Sequence, residues 1–408
     1  MSNTQTKLNR TLTLPMLVFY GVGVTIGAGI FALIGETIAI AGSKAPISFL
    51  LAGIVAAATG LSYAKLAAVY PRAAGEAIFV KIGIGPTWGQ LVGIGVTLTA
   101  IISSAVITIS FAGYMAQIVP LPLPVLALGI LALLATVASI GVKQSVIFAA
   151  VITVIELGAL CVIVLFGFDN LLVAQNWIQA FTPPTDIVQW SAITSTTLLA
   201  FFAFVGFEDI ENMAEETINP HENVPKAIII TLVITVIIYA LVALIAVSAP
   251  NPNQIAQSEA PLAELFGQLS GQNGQLIAAA ATIAMVNGIL VQIVMASRVI
   301  FGMSKEGLLP NAFAKLDEKR KTPVRATVFV SILIAILALS FPLAQLAKTT
   351  SIVILIVFTL VNVSLWRIGG KADAPISLKS WKHLGLVGAA LSAGLLLAEL
   401  ANQSIGWG

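Results

Sequence analysis

Apolar runs of about twenty residues recur along this chain, and no other feature constrains its fold so strongly. At about 1.5 Å per helical residue, such a run crosses a hydrocarbon core about 30 Å thick. In lipid, backbone polar groups must be satisfied inside a helix or around a closed barrel. Ten-residue strands of alternating polarity are missing, which favours helices over a barrel. Composition agrees: 58% of the 408 residues are hydrophobic and 9% charged, against about 25% charged in a soluble domain. The chain therefore reads as an all-α integral membrane protein with a single transmembrane domain over residues 1–408.

Eleven spans are expected: Leu12–Ile38, Pro46–Tyr70, Trp88–Val119, Pro122–Ile140, Ile147–Gly167, Ser191–Met213, Ala227–Val247, Gln275–Met295, Ala326–Leu339, Gln345–Trp366 and Leu384–Ala401. The polar start, MSNTQTKLNR, has no cleavage site after a short apolar core, so no removable signal peptide is expected. Lys and Arg in short connections mark the cytoplasmic side. With the amino terminus cytoplasmic, only Lys44 and Lys348 of the 20 basic residues fall outside. The other basic residues, Lys7, Arg72, Lys143 and Lys321 among them, fall inside or at inner helix ends. A plasma (inner) membrane location follows, with an external carboxyl terminus because the span count is odd.

Several classes are excluded. A net charge of +2 gives nucleic acid no footprint. Cys161, the single cysteine, lies in an apolar run and is expected to pack; no Cys/His metal spacing exists and no cofactor is expected. No nucleophile–base pair or phosphate loop suggests an enzyme, and no repeated filter suggests a channel.

The stretch GVGVTIGAGIF, Gly21 to Phe31, puts four glycines inside span one, where each costs about 1 kcal/mol of helix stability. Span six carries a matching interruption: LLAFFAFVGFEDIENMAEETINPHENVPKA has Gly206 and then acids at lipid depth. Spans one and six each begin a five-helix unit, about residues 12–168 and 188–366. Interrupted helices at corresponding places of two halves point to an inverted-repeat transporter. Unwinding at Ile26, Gly27, Ala28 and Gly29 frees N–H donors at the start of the outer half-helix, where the dipole also favours an anion. Carbonyls left open near Thr25 can accept from an ammonium group. The competing reading makes these glycines close helix-packing positions.

TIGAGIF in span one and FFAFVGFEDIENMAEETINPHENVPKAI in span six resemble the amino acid–polyamine–organocation permease superfamily, nearest to bacterial permeases of the cationic-amino-acid-transporter type. LSYAKLAAVYPRAAGEAIFV and SRVIFGMSKEGLLP are similar to family segments that cap the inner side. The resemblance covers about residues 10–366. It implies a LeuT-like 5+5 fold with discontinuous helices one and six, here followed by one additional helix at about 384–401. It also implies alternating access. By the same resemblance, the substrate carboxylate meets backbone at Ala28 and Gly29, and its ammonium the carbonyls of Thr25, Phe202 and Val205. Phe202 takes the place of an aromatic lid. Twelve spans are usual in the family, so the shortfall leaves room for a small membrane partner or a homodimer contact.

Ionisable groups at membrane depth mark function. Glu156 lies nine residues inside Ile147, about 14 Å deep at 1.5 Å per residue. Three roles stand for it: proton carrier, structural partner to a hydroxyl or backbone group, or ligand to a metal ion or cationic substrate. The resembling family can place a lysine in this region of span five. Glu208 reads as an inner-gate or proton-linked acid, or as a brace for unwound backbone. Asp209, Glu211, Glu215 and Glu216 are expected to be solvated or paired with loop cations. Glu36 is expected in an outer vestibule. Ser103, Ser104, Thr108 and Asn287 are candidate side-chain-pocket residues. The expected function is secondary active, proton-coupled uptake of small or neutral amino acids in membrane lipid. The alternatives are uncoupled exchange, a polyamine or cationic amino acid carrier, or a membrane amino acid sensor.

Overall fold

The computed structural model describes residues 10–71, 75–141, 146–305, 309–317, 319–320 and 322–405. Lys7, Arg72, Lys143 and Lys321 lie outside the described residues. The described chain is helical, with one isolated bridge between Leu12 and Thr217. The first half holds α1 (Leu14–Ile26), α2 (Gly29–Ala41), α3 (Ala45–Val69), α4 (Gly75–Gly83), α5 (Pro86–Ala116), α6 (Leu123–Ile140) and α7 (Val146–Phe166). Two short helices, α8 (Phe168–Leu172) and α9 (Ala174–Phe181), precede α10 (Ile187–Phe201) and α11 (Pro220–Val247). The rest is α12 (Pro252–Gln257), α13 (Pro261–Ser270), α14 (Gln275–Lys305), α15 (Val324–Ser340), α16 (Leu343–Gly369), α17 (Ile376–Lys379) and α18 (Lys382–Ile405).

Among the described residues, eight stretches are long and apolar enough to cross a membrane. One of them, Leu14–Val69, holds α1, α2 and α3; Ala150–Phe166 and Val324–Ser340 are shorter apolar helices. This is a multi-pass membrane protein. Large apolar side chains on α11 such as Val233 and Ile237 face outward, as hydrocarbon rather than water requires. Cys161 is also exposed. The expectation that it packs inside is corrected, because an apolar helix face costs nothing against lipid.

The expected span one is two helices. α1 stops at Ile26, Gly27 turns out of helical geometry at φ 23° and ψ −123°, and α2 starts at Gly29. The expected span six is also divided. After α10, a 3-10 turn over Phe202–Phe204 ends at Val205, Gly206 takes φ 123°, and a 3-10 segment runs Phe207–Glu216. Both turns use glycine where an L side chain is strained. The two breaks lie side by side, since a Cβ on Gly206 would sit 2.8 Å from the Val24 carbonyl oxygen. The start of the first broken segment and the end of the second are tied as well. The backbone N–H groups of Thr11 and Leu12 donate to Glu216 O at 2.9 and 3.0 Å, and Ile218 N–H donates to Leu12 O at 2.9 Å.

Candidate functional site

The first break opens onto a small cavity of about 50 Å³. Gly23, Val24, Gly27 and Ala28 line it from the break, Glu156 from α7 and Asp209 from the 3-10 segment. Ile107 on α5 adds to the wall, and Asn287, Gly288, Val291 and Gln292 are among the residues that α14 contributes. Of the residues singled out in the sequence, Gly27, Ala28, Glu156 and Asn287 therefore meet at one place. A water needs about 10–15 Å³ by this measure, so the cavity holds a few waters, and a larger ligand needs the walls to move. Ala28 is the N-cap of α2, with no side-chain cap. The first N–H groups of a helix have no intrahelical partner, and here they stand beside the cavity with the positive end of the dipole.

Glu156 is the outlying group in this wall. It is 1% exposed, and its Oε2 has no hydrogen-bond partner. One turn before it on α7, Thr153 donates from Oγ1 to Phe19 O at 3.0 Å, anchoring α7 to α1.

Other singled-out residues lie around the cavity rather than in its wall. Thr25 is buried and donates to Gly21 O at 2.7 Å. Ile26 is buried in the core. Gly29 packs on the second break: a Cβ there would stand 2.5 Å from Ala203 Cα, so close packing accounts for this glycine. The Phe202 carbonyl accepts the Val205 N–H at 3.1 Å inside the 3-10 turn, and the Phe202 ring is buried. Ser103, Ser104 and Thr108 return their hydroxyls to their own helix, at Ala100 O (3.3 and 2.7 Å) and Ser104 O (2.7 Å), the usual habit of such groups. Glu208 accepts the Gly206 N–H at 2.8 Å, the geometry of a brace for unwound backbone. Asp209 and Glu211 depart from the expectation of solvated or cation-paired acids. Asp209 lines the cavity, Glu211 is 1% exposed, and no described cation pairs with either. The 3-10 segment packs against α1, α3 and α11, which removes it from solvent. Glu36 lines a second cavity of about 300 Å³ with Glu259, Ser110 and Tyr114.

Tyr239 was not singled out from the sequence, yet it joins both breaks. Its hydroxyl on α11 lies 3.1 Å from Thr25 O, 3.4 Å from Ile26 O and 2.8 Å from Ala203 O. A lone hydroxyl in the apolar run VIIYALVALIAV is the one signal for it. Asp209 and Gln292 of the cavity wall were likewise not assigned to a site.

Sequence comparison bears on the same region. The amino acid permease family profile matches residues 12–402. A branched-chain amino acid permease, BcaP of Bacillus subtilis (strain 168), is 29% identical over 386 residues, covering 88% of this chain and 80% of the relative. The human cationic amino acid transporter 4 is 29% identical over 404 residues, covering 92% of this chain and 62% of the relative. The mitochondrial cationic amino acid transporter 3 of Arabidopsis thaliana is 28% identical over 382 residues, covering 88% and 62%. The profile spans both breaks, α5, α7 and α14, every element that walls the cavity, and on that match the chain belongs to the amino acid permease family.

Proposed function

We propose that this permease is a secondary active transporter of small or neutral amino acids, coupled to protons through Glu156. It works by alternating access on a LeuT-like 5+5 repeat of residues 12–168 and 188–366, with an eleventh helix, in the plasma membrane and with a cytoplasmic amino terminus. The substrate carboxylate meets the N–H groups at Ala28 and Gly29. Its ammonium meets the carbonyls of the breaks, at Thr25, Phe202 and Val205, in a state where the Tyr239 hydroxyl yields its place. Asn287 faces the side chain. Branched-chain and cationic substrates are named for relatives. The apolar wall at Ile107, Gly288 and Val291 favours a neutral side chain.

The observation that carries coupling is Glu156, a carboxyl without a partner at Oε2 in the wall beside the first break. An ionised carboxylate there, with no counter-charge, costs several kcal/mol; a proton removes the charge. Opening to water on one side then lets that proton leave. A cationic substrate is the second reading, favoured by the presence of both Glu156 and Asp209 in a cavity wall without a basic residue.

Uptake by proteoliposomes with an imposed inward proton gradient tests this. Glu156→Gln imitates the protonated acid, so gradient-driven accumulation is lost while exchange of internal for external substrate persists. Full accumulation by the variant, or a strict sodium requirement in the unmodified protein, sinks the coupling role. Competition by lysine but not by neutral amino acids selects the second reading.

A further inference from the structure

Four carboxyls gather where α4 meets the 3-10 segment: Glu76 from α4, and Glu208, Asp209 and Glu211 from the segment. Glu76, Glu208 and Glu211 are each 5% exposed or less. The Glu76 backbone N–H donates to Glu211 Oε1 at 2.9 Å, and the two carboxyls are in hydrogen-bonding contact. At the first residue of α4 a Cβ on Gly75 would overlap the Glu211 carboxylate, so helix and carboxylate are docked directly. Two buried polar atoms in this place have no partner: Glu211 Oε2 and the hydroxyl of Tyr63. Tyr63, on α3, is 0% exposed and within electrostatic reach of all four acids.

Something must hold these like charges together. Among the described residues no Lys, Arg or His pairs with them, and no three acids converge as metal ligands. The titratable groups that face them are Tyr63 from α3, Tyr20 from α1 and the acids themselves. α5 and α16 also pack on α4 and contribute no described charge in reach of the pair. Two carboxylates in contact repel, whereas a carboxylic acid and a carboxylate share a hydrogen bond.

We propose that the Glu76–Glu211 pair is a proton-binding lock on the cytoplasmic side. One shared proton holds α4 against the 3-10 segment, and its loss to the cytoplasm frees the segment to swing away. On release, the O–H bond of the acid breaks, the carboxylate keeps the electron pair and water takes the proton. The sign follows from burial, which pushes the Glu76 carboxyl up from its ordinary value. The docked form therefore binds the proton more tightly than the open form, and raising the pH favours opening. The lock is separate from Glu156, and its test needs no substrate.

Spin labels on Cys161→Ser protein in lipid nanodiscs, at the exposed positions Lys81 on α4 and Glu215 on the 3-10 segment, report their separation by pulsed dipolar spectroscopy. From about pH 5 to about pH 8 the ratio of long to short separations rises, by up to about tenfold per pH unit while the pair titrates. Glu76→Gln and Glu211→Gln each flatten this profile, and Glu156→Gln leaves it intact. The lock is overturned by a profile that is flat in the unmodified protein, that survives both Gln variants, or that vanishes with Glu156→Gln.

Discussion

One hydroxyl, that of Tyr239, reaches carbonyl oxygens of both breaks. It lies within 3.4 Å of Thr25 O and Ile26 O on the first break and Ala203 O on the second. Its ring is held edge-on by Phe49 and Phe204, so the hydroxyl is positioned by packing that Tyr239→Phe leaves in place. Removing the donor strands buried acceptors, a loss of about 1–3 kcal/mol. We expect a lower melting temperature and slower uptake for Tyr239→Phe, read by thermal unfolding and proteoliposome transport. An unchanged melting temperature means the three carbonyls do not depend on Tyr239. The sequence makes a break at Gly27 legible because helix-breaking residues cluster there. It leaves Tyr239 illegible, because contact between residues about 210 positions apart depends on how α11 crosses α1. For Gly29 the sequence favours anion approach over close packing, and only its distance to Ala203 shows the packing.

Among the elements, the segment after the second break departs furthest from the sequence reading. Ten residues, Phe207–Glu216, wind as 3-10 helix, although such runs seldom exceed about four residues. Glu208 helps explain how the segment starts: its Oε2 accepts the N–H of Gly206, the residue whose positive φ makes the turn. A glutamine can supply the same acceptor, but alanine cannot. Glu208→Ala should therefore lose about 1–3 kcal/mol of stability, seen as earlier thermal unfolding, whereas Glu208→Gln should melt close to the unmodified protein and keep proton-driven uptake. If Glu208→Gln melts normally yet loses gradient-driven accumulation, Glu208 carries a proton as well as a backbone bond. The sequence marks this segment as unusual through its acids at lipid depth. It does not tell which acids are buried, because α4 and α3 shield Glu211 through tertiary packing and not through any local pattern.

At the scale of the whole molecule, the question is whether α18 belongs to the permease body or merely offers a surface. Lys348, one of two cations expected on the outer side, lies on α16 and reaches Ser195 Oγ on α10 at 2.6 Å and Glu399 Oε1 on α18 at 3.4 Å. The Glu399 side chain is only 2% exposed and that of Lys348 22%. Farther along α18, Asn402 Nδ2 donates to Ser191 O on α10 at 3.3 Å. Nearer its start, Gly388 packs against the Asn362 side chain of α16, whose Nδ2 donates to Thr59 Oγ1 on α3 at 2.9 Å. Thus α18 is pinned at several depths to the helices around the second break, and its apolar residues Val387, Leu397 and Leu400 face outward. Breaking one member of a buried ion pair leaves the other charge uncompensated, at a cost of about 3–5 kcal/mol, whereas replacing both by apolar groups is often close to neutral. Glu399→Gln should consequently lower the melting temperature more than the double change Lys348→Met with Glu399→Leu. The double variant should still transport, because neither side chain lines the cavity at the first break. A double variant as unstable as the single one would mean that the stability lost comes from the Lys348 contact to Ser195, which ties α16 to α10, rather than from the charge pair with α18.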